Sequence, residues 1–301
     1  MKLIIQPDDG VTPLVQAVRS AKKTIDIVIF RFDRAELEKA LEAAVARGIM
    51  VRALIAHTNR GGEKILRKLE LRLLDAGVTV ARTADDLPRY HGKMMIVDDT
   101  LYVFGFNYTK LDIEKSRSFG IVTTEPRLVK EACALFEADS TRQAYAPGHD
   151  ELVVSPETSR EILSGFLKKA RKELLIYDAK ISDRLMLRLL AERAKSGVEI
   201  RMFGKVGKGA VGIDARKLPD LRLHVRAIIR DGTAAFVGSQ SLRKLELDGR
   251  REVGVIVTDE RIAKKMREIF EADWALTPES KQAADSAAEK DKEKEKATSG
   301  A

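Results

Sequence analysis

The sequence predicts an α/β fold made of two tandem copies of one domain, each a mixed sheet covered by helices. Two observations carry this reading. Apolar strand-like runs alternate with amphipathic helical stretches along all but the C-terminal end of the chain. The second half also repeats the first. Ala21-Lys22-Lys23 followed by IDIVIF matches Ala170-Arg171-Lys172 followed by LLIYDA. Each continues through an amphipathic helix to a glycine, Gly48 or Gly197, and then to Arg52 or Arg201, at one constant offset. FEAD occurs at Phe136–Asp139 and again at Phe270–Asp273 with a smaller offset, so the second half has lost a short segment from its middle. Ordered matches across both halves mark an internal duplication.

In the first half, Thr12–Ala21 reads as a helix and Ile25–Phe32 as a near-continuous apolar strand. Asp33 is the expected N-cap of a helix over Ala35–Arg47, which Gly48 stops. Val51–Ala56 is a strand, Glu63–Ala76 a helix stopped by Gly77, and Met94–Val97, Leu101–Phe104 and Phe119–Val122 are strands. Leu128–Phe136 lies within a closing helix. The second half repeats the order, with helices near Ser159–Ala170 and Asp183–Lys195 and strands at Leu174–Tyr177 and Val198–Phe203. Shorter strands at Ala227–Ile229, Ala234–Val237 and Val253–Val257 precede a helix over Glu260–Trp274. Pro147-Gly148 and Pro156 interrupt the pattern between Tyr145 and Glu157, giving domains at 1–148 and 149–276. Residues 277–301 are mostly alanine, lysine, glutamate and serine, and read as a disordered, solvated tail.

Composition narrows the partners. The 301 residues are 44% hydrophobic, enough for a proper core, and carry a net charge of +8 that favours anionic ligands without choosing among them. One cysteine, Cys133, cannot form an internal disulfide, and its apolar company points to a buried thiol rather than a nucleophile. No CxxC or HExxH is present, so neither a metal cluster nor a cofactor is expected. The N-terminal MKLIIQPDDG turns polar after Ile5, too soon for a secretory signal, and no apolar run reaches bilayer length. The expectation is a cytoplasmic protein with peripheral membrane contact left open and no obligate protein partner.

The chemistry lies in a pair of short motifs. The first half has HGKMMIVD, giving His91, Lys93 and Asp98, then Gly105-Phe106-Asn107. The second has HVRAIIRD, giving His224, Arg226 and Asp231, then Gly238-Ser239-Gln240-Ser241. The histidines and the turn glycines are separated by the same offset, so the two motifs align position by position. In an extended strand, residues two apart share a face, so each histidine points the same way as its cation. A neighbouring strand can bring Asn107 or Ser241 alongside. Cations and donors of this kind hold the non-bridging oxygens of a phosphodiester while one imidazole attacks phosphorus and another protonates the leaving oxygen. A single His-x-Lys arises often by chance, but two at equivalent places in a duplication do not. His57 and His149 have no such support and read as ordinary loop or strand-end residues.

The pattern HxKxxxxD followed by a glycine-serine-asparagine type of turn resembles the HKD signature of the phospholipase D superfamily, which includes phospholipases D, cardiolipin and phosphatidylserine synthases and metal-independent nucleases. The resemblance runs over roughly residues 6–275. It implies two αβα sandwich domains about a pseudo-two-fold axis, both motifs meeting at their interface, and a covalent phosphohistidine. It also implies structural roles for Asp98 and Asp231. Members often carry an acid, placed after the turn, that holds the far nitrogen of the histidine. Glu252, downstream of His224 and its turn, fits that role for the second half, whereas its first-half counterpart is Ser118.

The halves therefore differ: Lys93 and Asn107 in one, Arg226, Ser239, Ser241 and Glu252 in the other. Family habit makes His91 the nucleophile and His224 the acid, whereas an orienting Glu252 beside His224 argues the reverse. The first functional reading is a phospholipase D-like hydrolase or phosphatidyltransferase acting on a phospholipid head group. A metal-independent nuclease is the second, and Arg226 in place of lysine motivates a third, a catalytically weakened phosphate-ligand binder.

Overall fold

A computed structural model of the chain describes residues 1–57 and 63–282. The first half runs β1 (Lys2–Gln6), α1 (Thr12–Ser20), β2 (Thr24–Ile29), α2 (Ala35–Ala46), β3 (Met50–Ile55), α3 (Glu63–Asp75), β4 (Thr79–Arg82), β5 (Met94–Val97), β6 (Thr100–Phe104), α4 (Lys110–Glu114), β7 (Ser116–Thr123) and α5 (Pro126–Thr141). Its strands lie in the order β1-β7-β6-β5-β2-β3-β4. The second half runs β8 (Leu152–Ser155), α6 (Ser159–Lys168), β9 (Glu173–Ile181), α7 (Arg184–Lys195), β10 (Glu199–Val206), β11 (Asp214–Arg216), β12 (Arg222–Leu223), β13 (Arg226–Arg230), β14 (Ala234–Gly238), α8 (Lys244–Asp248), β15 (Glu252–Val257) and α9 (Glu260–Ala275). Its sheet order, β8-β15-β14-β13-β9-β10-β11, repeats that of the first half strand for strand.

Both sheets are mixed. β2 pairs with β3 in parallel and with β5 antiparallel, and β9 does the same with β10 and β13. The parallel crossovers carry α2 and α7, whose buried residues recur at helical spacing: Leu37, Ala40, Leu41 and Ala44 in one, Met186, Leu187, Leu189 and Leu190 in the other. The segment missing from the second half has a structural address. α3 links β3 to β4, whereas residues 207–213 link β10 to β11 without a helix.

Each sheet has an outer core beneath its own helices and an inner core shared with the other half. The shared core joins β5–β7 and α5 to β9, β13–β15 and α9, so two apolar faces are buried in one contact. An aromatic chain runs through it: Phe119 to Tyr177 at 5.6 Å, Tyr177 to Phe270 at 5.1 Å, and Phe270 to Trp274 at 5.4 Å between centroids.

Two buried ion pairs cross this contact reciprocally, and both acids are the aspartates of the FEAD repeats. Arg117 of β7 meets Asp273 of α9 through two parallel bonds of 2.9 and 3.0 Å, and Tyr177 donates its hydroxyl to the same carboxylate at 2.7 Å. Arg251, beside β15, meets Asp139 of α5 at 3.1 Å and also holds Glu157 and the Ser155 carbonyl. Burial lifts the Asp139 carboxyl to about 6 despite its arginine.

Some local expectations are corrected. Asp33 does not cap α2. Arg34 occupies the N-cap position without a side-chain capping bond, and the Asp33 carboxylate accepts the Lys110 amide at 2.7 Å instead. Thr277, placed in the tail by composition, is buried, and residues 278–282 are helical, with Arg216 bonded to Thr277 and Ser280. Residues 283–301 lie outside the described residues. Cys133 is half-buried, and desolvation raises its thiol above the usual range. Among the described residues no helix is long and apolar enough to cross a membrane.

Breaking one partner of a buried ion pair leaves an uncompensated charge. Asp273→Asn should therefore destabilise the fold by about 3–5 kcal/mol in denaturant unfolding at neutral pH. Asp139→Asn should have less than half that effect, because Arg251 retains the closely bound Glu157, whereas the acid left to Arg117 is the exposed Asp8 at 3.4 Å. Equal losses would show that the two clamps are not distinguished by their remaining partners.

Candidate active site

The segment that precedes each motif histidine leaves its own half and pairs with the other. Tyr90 bridges Arg251 in parallel, the Arg251 amide donates to the Arg89 carbonyl at 2.9 Å, and the His91 amide donates to the Arg251 carbonyl at 2.7 Å. β12 pairs in the same way with Ser116–Arg117 of β7. The chain then enters β5 or β13, so each histidine arrives beside a carboxylate that its own half does not supply.

His91 is held at both ring nitrogens. Its Nδ1 lies 2.8 Å from Glu252 Oε2 on β15, and its Nε2 lies 2.9 Å from Lys93 Nζ. A carboxylate only accepts and an ammonium only donates, so Nδ1 carries the proton and Nε2 presents its lone pair. Phe30 stands edge-on to the imidazole at 4.5 Å and lies beneath the Lys93 ammonium, 5.3 Å from it. His224 faces the other way across the interface. Its Nδ1 is 3.3 Å from Asp112 Oδ2 on α4, without the angle of a complete hydrogen bond. That oxygen also accepts the Asn107 amide nitrogens at 2.9 Å (backbone) and 2.6 Å (side chain), and Arg222 holds the other oxygen at 2.5 Å.

The glycines of the turns allow close backbone approach here, Gly105 between the sheets and Gly238 to the next strand of its own sheet. A Cβ on Gly105 would lie 3.1 Å from Ser118 Oγ and 3.4 Å from the Gly238 carbonyl, and one on Gly238 would lie 2.6 Å from Gly254 Cα. A cleft of about 250 Å³ opens beside His224, lined in part by Arg31, Phe32, Ile65, Asn107, Leu111 and Arg222.

Electrostatically the centre is a desolvated cation cluster with embedded carboxylates. Burial pushes the His91 imidazole well below the usual histidine range, and Lys93, Arg226, Arg250 and Arg89 push it further. Burial does the same to His224. Asp112 opposes the fall, while Arg226, Lys93 and Arg222 add to it. Both imidazoles thus feel Lys93 and Arg226, and both are neutral in the free site. Lys93 itself is lowered by burial to about 7. Glu252 is raised by burial, opposed by Lys93, Arg226 and Arg250.

Comparison with known proteins shows the family. Residues 14–140 and 204–274 match the family described as cardiolipin synthase, PLD-like domain. The chain belongs to this PLD-like family. A mitochondrial cardiolipin hydrolase of Danio rerio is 27% identical over 118 residues, which is 39% of this chain and 51% of that protein. Two solved structures share the fold over 91% of the chain. They are polyphosphate kinase from Porphyromonas gingivalis (TM-score 0.74, 18% identity, 50% of that chain) and phosphatidylserine synthase from Haemophilus influenzae Rd KW20 (TM-score 0.65, 12% identity, 86% of that chain). The PLD-like chain spans about half the length of the hydrolase and of the kinase.

In this PLD-like chain His91, Lys93, Asn107, His224, Arg226 and Glu252 converge. The other expected residues lie around them. Ser241 donates to the buried Asp178, and Ser239 Oγ accepts the Val253 amide at 3.0 Å. Asp98 and Asp231 are remote from the centre. Each caps the start of a central strand, Asp98 accepting the amides of Lys22, Lys23 and Thr24, and Asp231 those of Arg171, Lys172 and Glu173. One assignment is overturned: Glu252 serves His91, not His224, because the strand segments cross between halves. Ser118 is accordingly no lost acid for His91.

Sequence reasoning missed Asp112 and Arg222. Both had a signal. Asp112 and Glu246 are equivalent acids after Lys110-Leu111 and Lys244-Leu245, and Arg89 and Arg222 stand at the same place just before their histidines. Glu246 is occupied by Arg243 and Arg250.

Because Lys93 loses its proton near 7, the cluster should grip an oxyanion less well as pH rises. Sulfate, whose own charge is constant in this range, should bind about tenfold more weakly above neutrality than below it in calorimetry, as expected for loss of one charge-assisted contact. Lys93→Met should flatten that dependence. A wild-type affinity unchanged through neutrality would contradict this assignment.

Proposed function

We propose that the chain is a phosphodiesterase of the phospholipase D type that cleaves or transfers a phosphatidyl group through a phosphohistidine on His91. The arrangement of His91 carries the reading: Glu252 fixes the Nδ1 proton and Lys93 marks where Nε2 looks. A bound phosphodiester takes Lys93 and Arg226 onto its non-bridging oxygens and leaves Nε2 free to attack. Arg226 supports this role, since its Nε is buried without a hydrogen-bond partner. As the Nε2–phosphorus bond forms, the phosphorus–oxygen bond to the leaving alcohol breaks and His224 supplies the alcohol's proton. The bound anion offsets the surrounding cations and raises His224 toward the protonated state this step requires. Water or an acceptor alcohol then attacks phosphorus, giving its proton to His224 as the phosphorus–nitrogen bond breaks.

Glu252 at 2.8 Å from His91 supports His91 as the nucleophile, since a carboxylate at Nδ1 strengthens Nε2 as a nucleophile. Phe32, Ile65, Leu66 and Leu111 give the cleft an apolar wall beside Arg31 and Arg222, which favours a phospholipid over stacked bases. The names of the hydrolase and of the matched family support the same substrate class.

The test uses bis(p-nitrophenyl) phosphate in excess EDTA. Nitrophenolate leaves without help, so His224→Ala should give a burst followed by an acid-labile phosphoryl adduct on His91, visible by mass spectrometry. His91→Ala should lose at least about a thousandfold in steady-state rate with no adduct. With phosphatidylglycerol, whose leaving alcohol needs a proton, both variants should be inactive. Turnover that survives His91→Ala, or that EDTA stops, would sink the mechanism.

A further inference from the structure

The duplication repeats more than the catalytic motifs. Three pairs of exposed side chains occupy equivalent places in the two halves: Arg31 with Lys180, Lys110 with Lys244, and Leu111 with Leu245, and Arg31 and Leu111 line the cleft. Each Lys-Leu dipeptide opens a short helix, α4 or α8, whose next residue, Asp112 or Glu246, is buried. Leu111 lines the cleft together with His224. Leu111 and Leu245 are 51% and 46% exposed, although both halves have ample core in which to hide a leucine. Ile65, on the same cleft, is 61% exposed. The acids nearest these turns are engaged: Asp33 with the Lys110 amide, Glu114 with Arg34, and Asp248 with Arg160. Asp33 keeps its charge in the cleft lining, and Lys110 and Lys244 are both exposed.

Apolar tips ringed by lysine and arginine on one face match a surface with anionic head groups above an acyl layer. They do not match nucleic acid, which gives leucine nothing to enter and uses aromatic platforms instead. We propose that the Lys-Leu turns of α4 and α8 seat the chain on an anionic phospholipid surface with the cleft facing the head groups. This names the partner surface of the phosphodiester site proposed above and rests on that reading for the choice of phospholipid. The pseudo-two-fold axis gives two contacts astride the cleft, so the scissile ester is approached along the surface normal.

The full-length protein is sedimented with vesicles of phosphatidylcholine alone or of phosphatidylcholine mixed with phosphatidylglycerol. Wild type should pellet only with the anionic mixture. Leu111→Ser with Leu245→Ser should weaken that partitioning about tenfold, and Lys110→Gln with Lys244→Gln by a similar factor. Circular dichroism melts matching wild type show that the variants are folded. Wild type that stays in the supernatant with both vesicles overturns the proposal, as does a leucine variant that pellets like wild type. Wild-type turnover of bis(p-nitrophenyl) phosphate is read in parallel. Leucine-dependent pelleting without turnover upholds the surface and removes the function proposed above, whereas turnover without pelleting does the reverse.

Discussion

Everything in this molecule depends on the reciprocal crossing between its halves. Arg117 reaches into the second half for Asp273, and Arg251 reaches into the first for Asp139. The same exchange carries Tyr90 onto Arg251 and β12 onto β7. Around these links the two inner faces bury one another in a single apolar core. The apolar contact supplies most of the favourable free energy, being large and non-directional. The ion pairs fix which residue faces which, because a buried charge left without its partner is costly.

The crossing also determines the site's electrostatics. Neither half alone holds a histidine with its carboxylate: His91 depends on Glu252 and His224 on Asp112. Both imidazoles are stripped of water and surrounded by cations, which keeps them neutral, while the field remains strongly attractive to an anion. One group of residues thus does two things that conflict in water: it keeps a ring nitrogen unprotonated and gathers positive charge around it.

Much of this was legible from the sequence because duplication writes each constraint twice. The alternation of elements, the paired motifs and the FEAD repeat all emerged from comparing the chain with itself. Short pieces outside the duplicated motifs escaped, namely β1, β4, β8, β11 and β12, and α4 and α8 are little more than single turns. The partner of Glu252 was misassigned for a different reason. Sequence offset measures equivalence between halves, not proximity, and a crossing strand separates the two. The aspartates of the FEAD repeats could be seen as repeated but not as clamps, since their arginines lie in the opposite half.

The loss of one helix from the second half has a consequence for direction. An active site on an exact two-fold axis cannot tell one end of a diester from the other, and would bind it both ways round. Here α3 places Ile65 and Leu66 on the His224 side of the cleft, and the linker at 207–213 builds no equivalent helix on the other. The walls are therefore unequal where the chemistry is nearly symmetric. On the mechanism proposed above, a diester in this cleft would be sorted by its two arms before any bond breaks, and the same ester oxygen would depart toward the same imidazole.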